Sequence, residues 1–150
     1  MNGSRKGETH MKVAFVSCTK LKEDLPCRAK DMYLKSTLFK KATKYIEANE
    51  YDNWFILSAK YGLLKQEDII EPYDETLNSM KKSGRITWAN KVMEQIQDLN
   101  INIECIDFYA GQKYREYLIP MLQEKGIQWN VPLEGKGIGE QLAFYTSQNT

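Results

Sequence analysis

Wherever an apolar run of this chain stops, small polar and cationic side chains collect. Val13-Ala14-Phe15-Val16 runs into Ser17-Cys18-Thr19-Lys20 with Lys22 just beyond, and Trp54-Phe55-Ile56-Leu57 runs into Ser58-Ala59-Lys60-Tyr61-Gly62. Lys20, Lys22 and Lys60 could hold a phosphate together with the free amides of a helix start, or could be solvated surface lysines. Ser17, Cys18 and Thr19 offer two hydroxyls and a thiol to a ligand, or are small residues placed where backbones crowd at a strand end. Cys18 would serve as a nucleophile only with a cation or base beside it.

Three loop carboxylates, Asp31, Asp74 and Glu134, could act as a general base or stabilise a developing cation. Asp74 stands out in Pro72-Tyr73-Asp74, held by a proline and flanked by an aromatic ring able to stack on a base. The competing reading is a turn carboxylate that caps Thr76 or Leu77. Gly135-x-Gly137-x-Gly139 lacks the spacing of a dinucleotide fingerprint and follows the last apolar run, so it reads as a tight turn before a helix, with free amides that suit an anion. Tyr61 and Tyr73, near the ends of apolar runs, are candidate stacking platforms.

The elements that must position these groups alternate in type. Strands are expected at Val13–Val16, at 52–57, at Ile103–Tyr109 and at 127–131, each followed by a helix. Leu34, Leu38, Phe39, Ala42, Tyr45 and Ile46 recur at helical spacing, with Ser36 as a cap and Asn49 as a stop. Trp88, Val92, Ile96 and Leu99 mark a helix over 87–99 that Asn100 ends. A helix over 113–125 carries Pro120, which should kink or shorten it, and Gly126 closes it. The last helix spans 141–147. Leu21–Met32 reads as a loop, and 63–85 as a long irregular connection of the kind that often forms a lid.

The order βαβαβαβα implies an α/β fold, a three-layer sandwich around a central parallel sheet of about four strands. Ligands of such sheets bind beyond the carboxyl ends of the strands. The loops at Ser17–Lys22, Ser58–Gly62, 110–113 with Gly111, and Pro132–Gly139 should therefore converge.

A chain of 150 residues is long enough for one domain with one core. Residues 1–10 read as a disordered leader or expression scar, and 11–150 as a single α/β domain. No apolar run approaches the roughly 20 residues that span a bilayer, and a cytoplasmic protein is expected. Cys18, Cys27 and Cys105 are at spacings unlike a disulfide framework or a metal knuckle, which implies reduced thiols, no metal and no cofactor. With 21 basic and 20 acidic residues, the formal charge of +1 lacks the bulk footprint of a non-specific nucleic-acid binder. His10, the sole histidine, lies in the leader, so Ser-His-Asp and Cys-His mechanisms are excluded.

Ser17-Cys18-Thr19-Lys20, Asp31-Met-Tyr33-x-x-Ser36-x-x-Phe39, Leu57-Ser58-Ala59-Lys60-Tyr61-Gly62-Leu63-Leu64, Pro72-Tyr73-Asp74 and Pro132-Leu133-Glu134-Gly135-x-Gly137-Ile138-Gly139-x-Gln141 together resemble a bacterial and phage domain family of largely uncharacterised function. The resemblance covers about Val13 to Phe144 and extends distantly to YaaA-like proteins and to the uracil-DNA-glycosylase-like fold, which also occurs in archaeosine-synthase-type tRNA modification enzymes. Some defence proteins of this neighbourhood excise modified bases from phage DNA. The histidine and the Gly-Gln-Asp-Pro-Tyr run of the uracil enzymes are missing here, so only the placement of a base pocket at the strand ends carries over.

The resemblance and the residues together imply an enzyme acting on a nucleotide or nucleic-acid base, an N-glycosidase of DNA-glycosylase type. Asp74 or Asp31 would be the catalytic carboxylate, with DNA or tRNA as partner. The alternative is a non-catalytic nucleotide or nucleic-acid binding module. On the sequence alone, Lys60 follows a strand directly and Gly62 lets the chain turn away, which aims its ammonium at the cleft. Lys60→Ala should then weaken binding or turnover at least tenfold, about 1.4 kcal/mol, at nearly unchanged melting temperature.

Overall fold

The computed structural model describes residues 10–149. Its centre is β1 (Met11–Ser17), in which Val13, Ala14, Phe15 and Val16 are all buried. A strand covered on both faces must be apolar at consecutive positions, which is why this run shows no alternation. On one side β1 pairs in parallel with β3 (Asn53–Ser58), and on the other with β6 (Ile103–Tyr109). Phe15 meets Phe55 and Phe108 edge-on at ring separations of 5.9 and 5.8 Å, so one side chain ties together three strands. Beyond β6 lies β7 (Gln128–Asn130), also parallel.

The expected parallel strands are all present. The sheet gains a fifth strand, β4 (Gly62–Leu64), antiparallel to β3, in a segment assigned by sequence to the long connection. Only three residues long, it is too short to show a period. What creates it is the turn, with Gly62 at φ +79° closing the hairpin from Ser58. The edge of β4 is blunted by Gln95, whose Oε1 accepts from the Leu63 amide at 2.7 Å.

Two further short elements occupy Leu21–Met32, where the sequence implies a loop. They are β2 (Cys27–Arg28), paired antiparallel with β5 (Ile69–Ile70), and one helical turn, α1 (Ala29–Met32). The amides of Ala29 and Lys30 donate to the carbonyls of Asp68 and Gln66 at 2.7 and 3.0 Å, which binds the loop after β1 to the loop after β4.

The longer helices match the expected faces and differ at their ends. In α2 (Thr37–Glu47) Ser36 accepts from the Phe39 amide at 3.2 Å, as its type and position imply. Helix α3 (Lys82–Asp98) begins five residues before Thr87, because Gly84 and Arg85 lie inside its first turn. Asn100 ends it at φ +53°. The stretch 113–125 is divided into α4 (Gln112–Arg115) and α5 (Leu118–Glu124), with Pro120 in the first turn of α5, where a missing amide costs nothing. Gly126 closes α5 at φ +74°. Helix α6 (Ile138–Gln148) also starts early, directly after Gly137.

Helix α2 packs against β1 and α6 on one side of the sheet, while α3 packs against α5 on the other, which completes the three layers. The sheet order β4-β3-β1-β6-β7 means that the chain moves from β1 to β3 in one direction and then returns past β1 to β6. With right-handed crossovers, the connections leaving β1 and β6 go to opposite faces, and a crevice opens between them. Residues 1–9 of the expected leader lie outside the described residues. His10 Nδ1 accepts from Asn102 Nδ2 at 3.2 Å, just before β6, so it sits at the opposite end of the strands from the crevice.

Gly62 supplies a stability test. A β-carbon there would run into the Gln95 side chain at a φ that L-residues avoid. Gly62→Ala is expected to cost about 2 kcal/mol in urea unfolding, from the left-handed backbone and the displaced Gln95 together. A loss below about 0.5 kcal/mol would show that the hairpin does not depend on this glycine.

Candidate functional site

Two adjoining cavities fill the crevice. The larger, of about 690 Å³, is lined by Ser17 to Lys20 and Lys22 from the loop after β1, Asp74 to Thr76 and Asn78 from the loop before α3, and Gly111 to Tyr114 from the start of α4. The smaller, of about 320 Å³, lies between α2, the end of β6, α4 and the start of α6. Ser17, Thr19, Gly111 and Gln112 line both. These residues stand at or just beyond the ends of the two strands where the sheet order reverses, so a ligand reaching into both cavities would cross the crevice there.

The cavities differ in chemistry. The larger is lined by Lys20, Lys22 and Lys113 together with Asp74 and Glu75. The smaller has an apolar wall from Leu38, Phe39, Phe108, Tyr109 and Tyr145, and a polar rim from Gln112, Arg115, Glu134, Lys136 and Gln141. The Arg115 guanidinium is largely buried, donates from Nε to the Ala110 carbonyl at 3.2 Å and stands 3.9 Å from the exposed Glu134 carboxylate. Among the described residues no three His, Cys, Asp or Glu side chains gather as a metal site.

Asp74 owes its position to its neighbour. Tyr73 is buried, its hydroxyl 2.6 Å from that of Tyr33 and accepting from Ser58 Oγ at 2.8 Å. Ser58 Oγ also accepts from the Tyr61 amide at 3.0 Å, while the Ser58 carbonyl accepts from Trp88 Nε1 at 2.8 Å. With Tyr73 fixed to the end of β3 and to the residue after α1, the chain presents the exposed Asp74 to the larger cavity. Tyr114 adds a further buried hydroxyl, 3.4 Å from Cys18 Sγ.

The sequence candidates therefore divide. Ser17, Cys18, Thr19, Lys20, Asp74 and Gly111 line the larger cavity, and Gly135 lines the smaller at φ +85°. Gly137 and Gly139 stand at the start of α6, where the Gly137 amide already donates to Glu140 Oε1 at 3.0 Å. Tyr73 is an anchor beneath the site, and its ring carries the Lys22 ammonium 4.5 Å from its centroid where a base was expected to stack. Ser58 and Tyr61 belong to the same buried support.

Asp31 and Lys60 line neither cavity. Asp31 is ion-paired with Arg28 at 2.8 Å on α1. Lys60 stands at the tip of the β3–β4 hairpin with its ammonium 5.4 Å from the Tyr61 ring centroid, because Gly62 turns the chain into a strand rather than away from the cleft. Gln112 and Lys113 belong to the converging loop expected at 110–113, whereas Tyr114 and Arg115 were not singled out from the sequence. Arg115 had a signal, since it lies one helical turn after Gly111 and so returns to the side of that loop.

A second polar cluster surrounds the buried carboxylate of Asp107. Tyr51 donates to Asp107 Oδ2 at 2.6 Å, and its hydroxyl is 2.6 Å from that of Tyr109, which lines the smaller cavity. Asn130 donates to Asp107 Oδ1 at 2.9 Å, and the Lys12 ammonium lies 3.8 Å away. The buried carboxylate is thus held by a phenol, an amide and a cation.

An open α/β sheet with a ligand cleft at its switch point is the class to which fold and site assign this protein. Residues 13–147 match a family of unknown function, DUF6884, and the chain belongs to that family. It is 34% identical over 121 residues to the uncharacterized protein YfjM of Bacillus subtilis (strain 168), a span covering 78% of this chain and 77% of that relative. No solved structure matches it.

Two tests follow from the buried hydroxyls. Tyr73→Phe removes the group shared by Tyr33 and Ser58 and is expected to cost about 1–3 kcal/mol by chemical denaturation. A cost near zero would show that the hydroxyl does not hold the Asp74 loop. Burial, before any other cause, raises Tyr33, Tyr51, Tyr73, Tyr114 and Tyr145 above the ordinary phenol value of 10.0, and pushes Tyr109 up to about 12. A raised folded-state value favours the folded protein below the unfolded value, and that stability is lost as pH rises beyond it. Unfolding free energy should hold steady up to about pH 10 and then fall toward pH 12. Phenolate absorbance at native protein stability throughout that interval would contradict this burial.

Proposed function

We propose that this protein is an N-glycosidase acting on a nucleotide or nucleic-acid base, with Asp74 as the working carboxylate. One observation carries the reading, namely that Asp74 is presented, on a loop pinned by a buried tyrosine, to the cavity that Lys20, Lys22 and Lys113 also line. Cations that bind the phosphates of a substrate would thus bring its sugar to a carboxylate. The distant resemblance to YaaA-like and uracil-DNA-glycosylase-like proteins, read from the sequence motifs alone, supports only the placement of a base pocket at these strand ends.

Breaking the bond between C1′ and the base nitrogen sends the bonding electron pair to the base and leaves a cationic sugar. A carboxylate beside that sugar stabilises the positive charge and accepts a proton from the water that adds to C1′. The departing base nitrogen takes up a proton, so water is divided between the two products. The hydroxyls of Ser17 and Thr19, on the boundary of the two cavities, are placed to orient the sugar or the water. The same lysines also suit a non-catalytic binding module, in which the carboxylates would merely offset their charge.

The test is release of free base from DNA, tRNA and nucleosides, modified and unmodified, followed by mass spectrometry. Asp74→Asn is expected to lower release by about 100-fold or more while leaving binding in place. Asp31→Asn, outside the cavities, should stay within about twofold of the parent protein. Binding without release on every substrate would identify the module instead.

A further inference from the structure

We propose that the smaller cavity receives the base itself and is matched to an oxopurine with a guanine-type edge, while the larger cavity takes the sugar and phosphates. This rests on the base-processing reading above and adds the orientation of the substrate and its chemical class. It differs from the arrangement expected from sequence, in which the base stacks on Tyr73 or Tyr61 and phosphate is held by Lys20, Lys60 and the Gly137 turn.

The division follows from the walls. A base is a flat apolar body with a polar edge, whereas sugar and phosphates are polar throughout. The smaller cavity offers aromatic and aliphatic surface from Leu38, Phe108 and Tyr109, together with the hydrogen-bonding side chains of Arg115 and Glu134. At about 320 Å³ it lies at the low end of ligand-pocket sizes, suited to a ring system rather than a whole nucleotide. The larger, lysine-lined cavity begins where it ends. A substrate placed this way has its glycosidic bond near Ser17, Thr19 and Gly111, between an enclosed base and the Asp74 side of the cleft.

The rim selects the edge. Arg115 and Glu134 stand side by side at 3.9 Å, too far apart for a close hydrogen bond, with Glu134 exposed and most of the guanidinium N–H groups free to face a ligand. A guanidinium donates and a carboxylate only accepts. Guanine carries two adjacent donors, N1–H and the 2-amino group, followed directly by the O6 acceptor, so one base satisfies both oxygens of Glu134 and the guanidinium of Arg115. Hypoxanthine loses one of these donors, and adenine reverses the order of donor and acceptor along the edge.

Equilibrium binding of 9-methylguanine, 9-methylhypoxanthine and 9-methyladenine separates this inference from the glycosidase reading, since none of the three can be hydrolysed. The methyl group stands where the sugar would be attached. The unaltered protein should bind 9-methylguanine at least tenfold more tightly than 9-methyladenine, with 9-methylhypoxanthine between them. Glu134→Gln, at an exposed position that folding does not depend on, should remove most of that preference, whereas Asp74→Asn should keep it. Arg115→Lys should weaken all oxopurine binding, and its melting temperature reports whether the lost Ala110 contact has disturbed the fold.

Guanine-selective binding without base release from any substrate would uphold the pocket and overturn the glycosidase. Release of a base with no oxopurine preference, or a preference unaffected by Glu134→Gln, would overturn the pocket. So would ribose 5-phosphate binding that Glu134→Gln strengthens while 9-methylguanine does not bind, because the smaller cavity would then be a phosphate site.

Discussion

A single buried phenol holds the candidate site in shape. Tyr73 comes from a loop with little regular structure, yet its hydroxyl lies within hydrogen-bonding distance of Tyr33 and Ser58, and through them the loop is fixed to the segment after α1 and to the end of β3. A hydroxyl buried without partners would destabilise the fold by several times what one satisfied bond contributes. Each of the three groups therefore holds the other two in place. The outcome is a carboxylate, Asp74, placed at the mouth of a cavity by a neighbour that is itself out of reach of solvent.

This support depends on the sheet. Ser58 is fixed because β3 pairs with β1, and β1 is fixed because Phe15 packs between the aromatic rings of both neighbouring strands. The reversal of strand order at β1 and β6 sends their following segments to opposite faces, which is why an opening exists at this point and why loops from both strands border both cavities. Fold and site are thus linked by two features, a topological gap that makes room and a buried polar seam that aims one loop into it.

The two cavities share a boundary and differ in the side chains that line them. A volume lined by lysines and carboxylates adjoins one lined by aromatic rings beside Arg115 and Glu134. Such a pairing suits a ligand with a charged half and a flat, weakly polar half. The cluster of Asp107, Tyr51, Tyr109 and Asn130 keeps the wall of the smaller cavity rigid, since Tyr109 lines that cavity while its hydroxyl is bound to Tyr51.

By itself the sequence determined the parallel core and the end of the sheet at which loops would converge. Those features come from local causes, in the unbroken apolar runs at Val13–Val16 and at 54–57, the capping serine before α2, and the left-handed stops at Asn100 and Gly126. Ser17 to Lys20, Asp74 and Gly111 were legible as residues of the strand-end cleft because a strand end or a proline turn fixed them locally. Only the tertiary structure decided that Lys60 belongs to a hairpin tip, that Asp31 is taken up by Arg28, and that Tyr73 is an anchor rather than a stacking platform. The hairpin needs three residues of β4 to find β3, and the tyrosine needs two partners 40 and 15 residues distant in the chain. Arg115 and Glu134 meet for the same reason, through the packing of α4 beside the turn before α6. Contacts between residues far apart in the chain leave no periodicity and no local composition to read, so only the folded chain could reveal them.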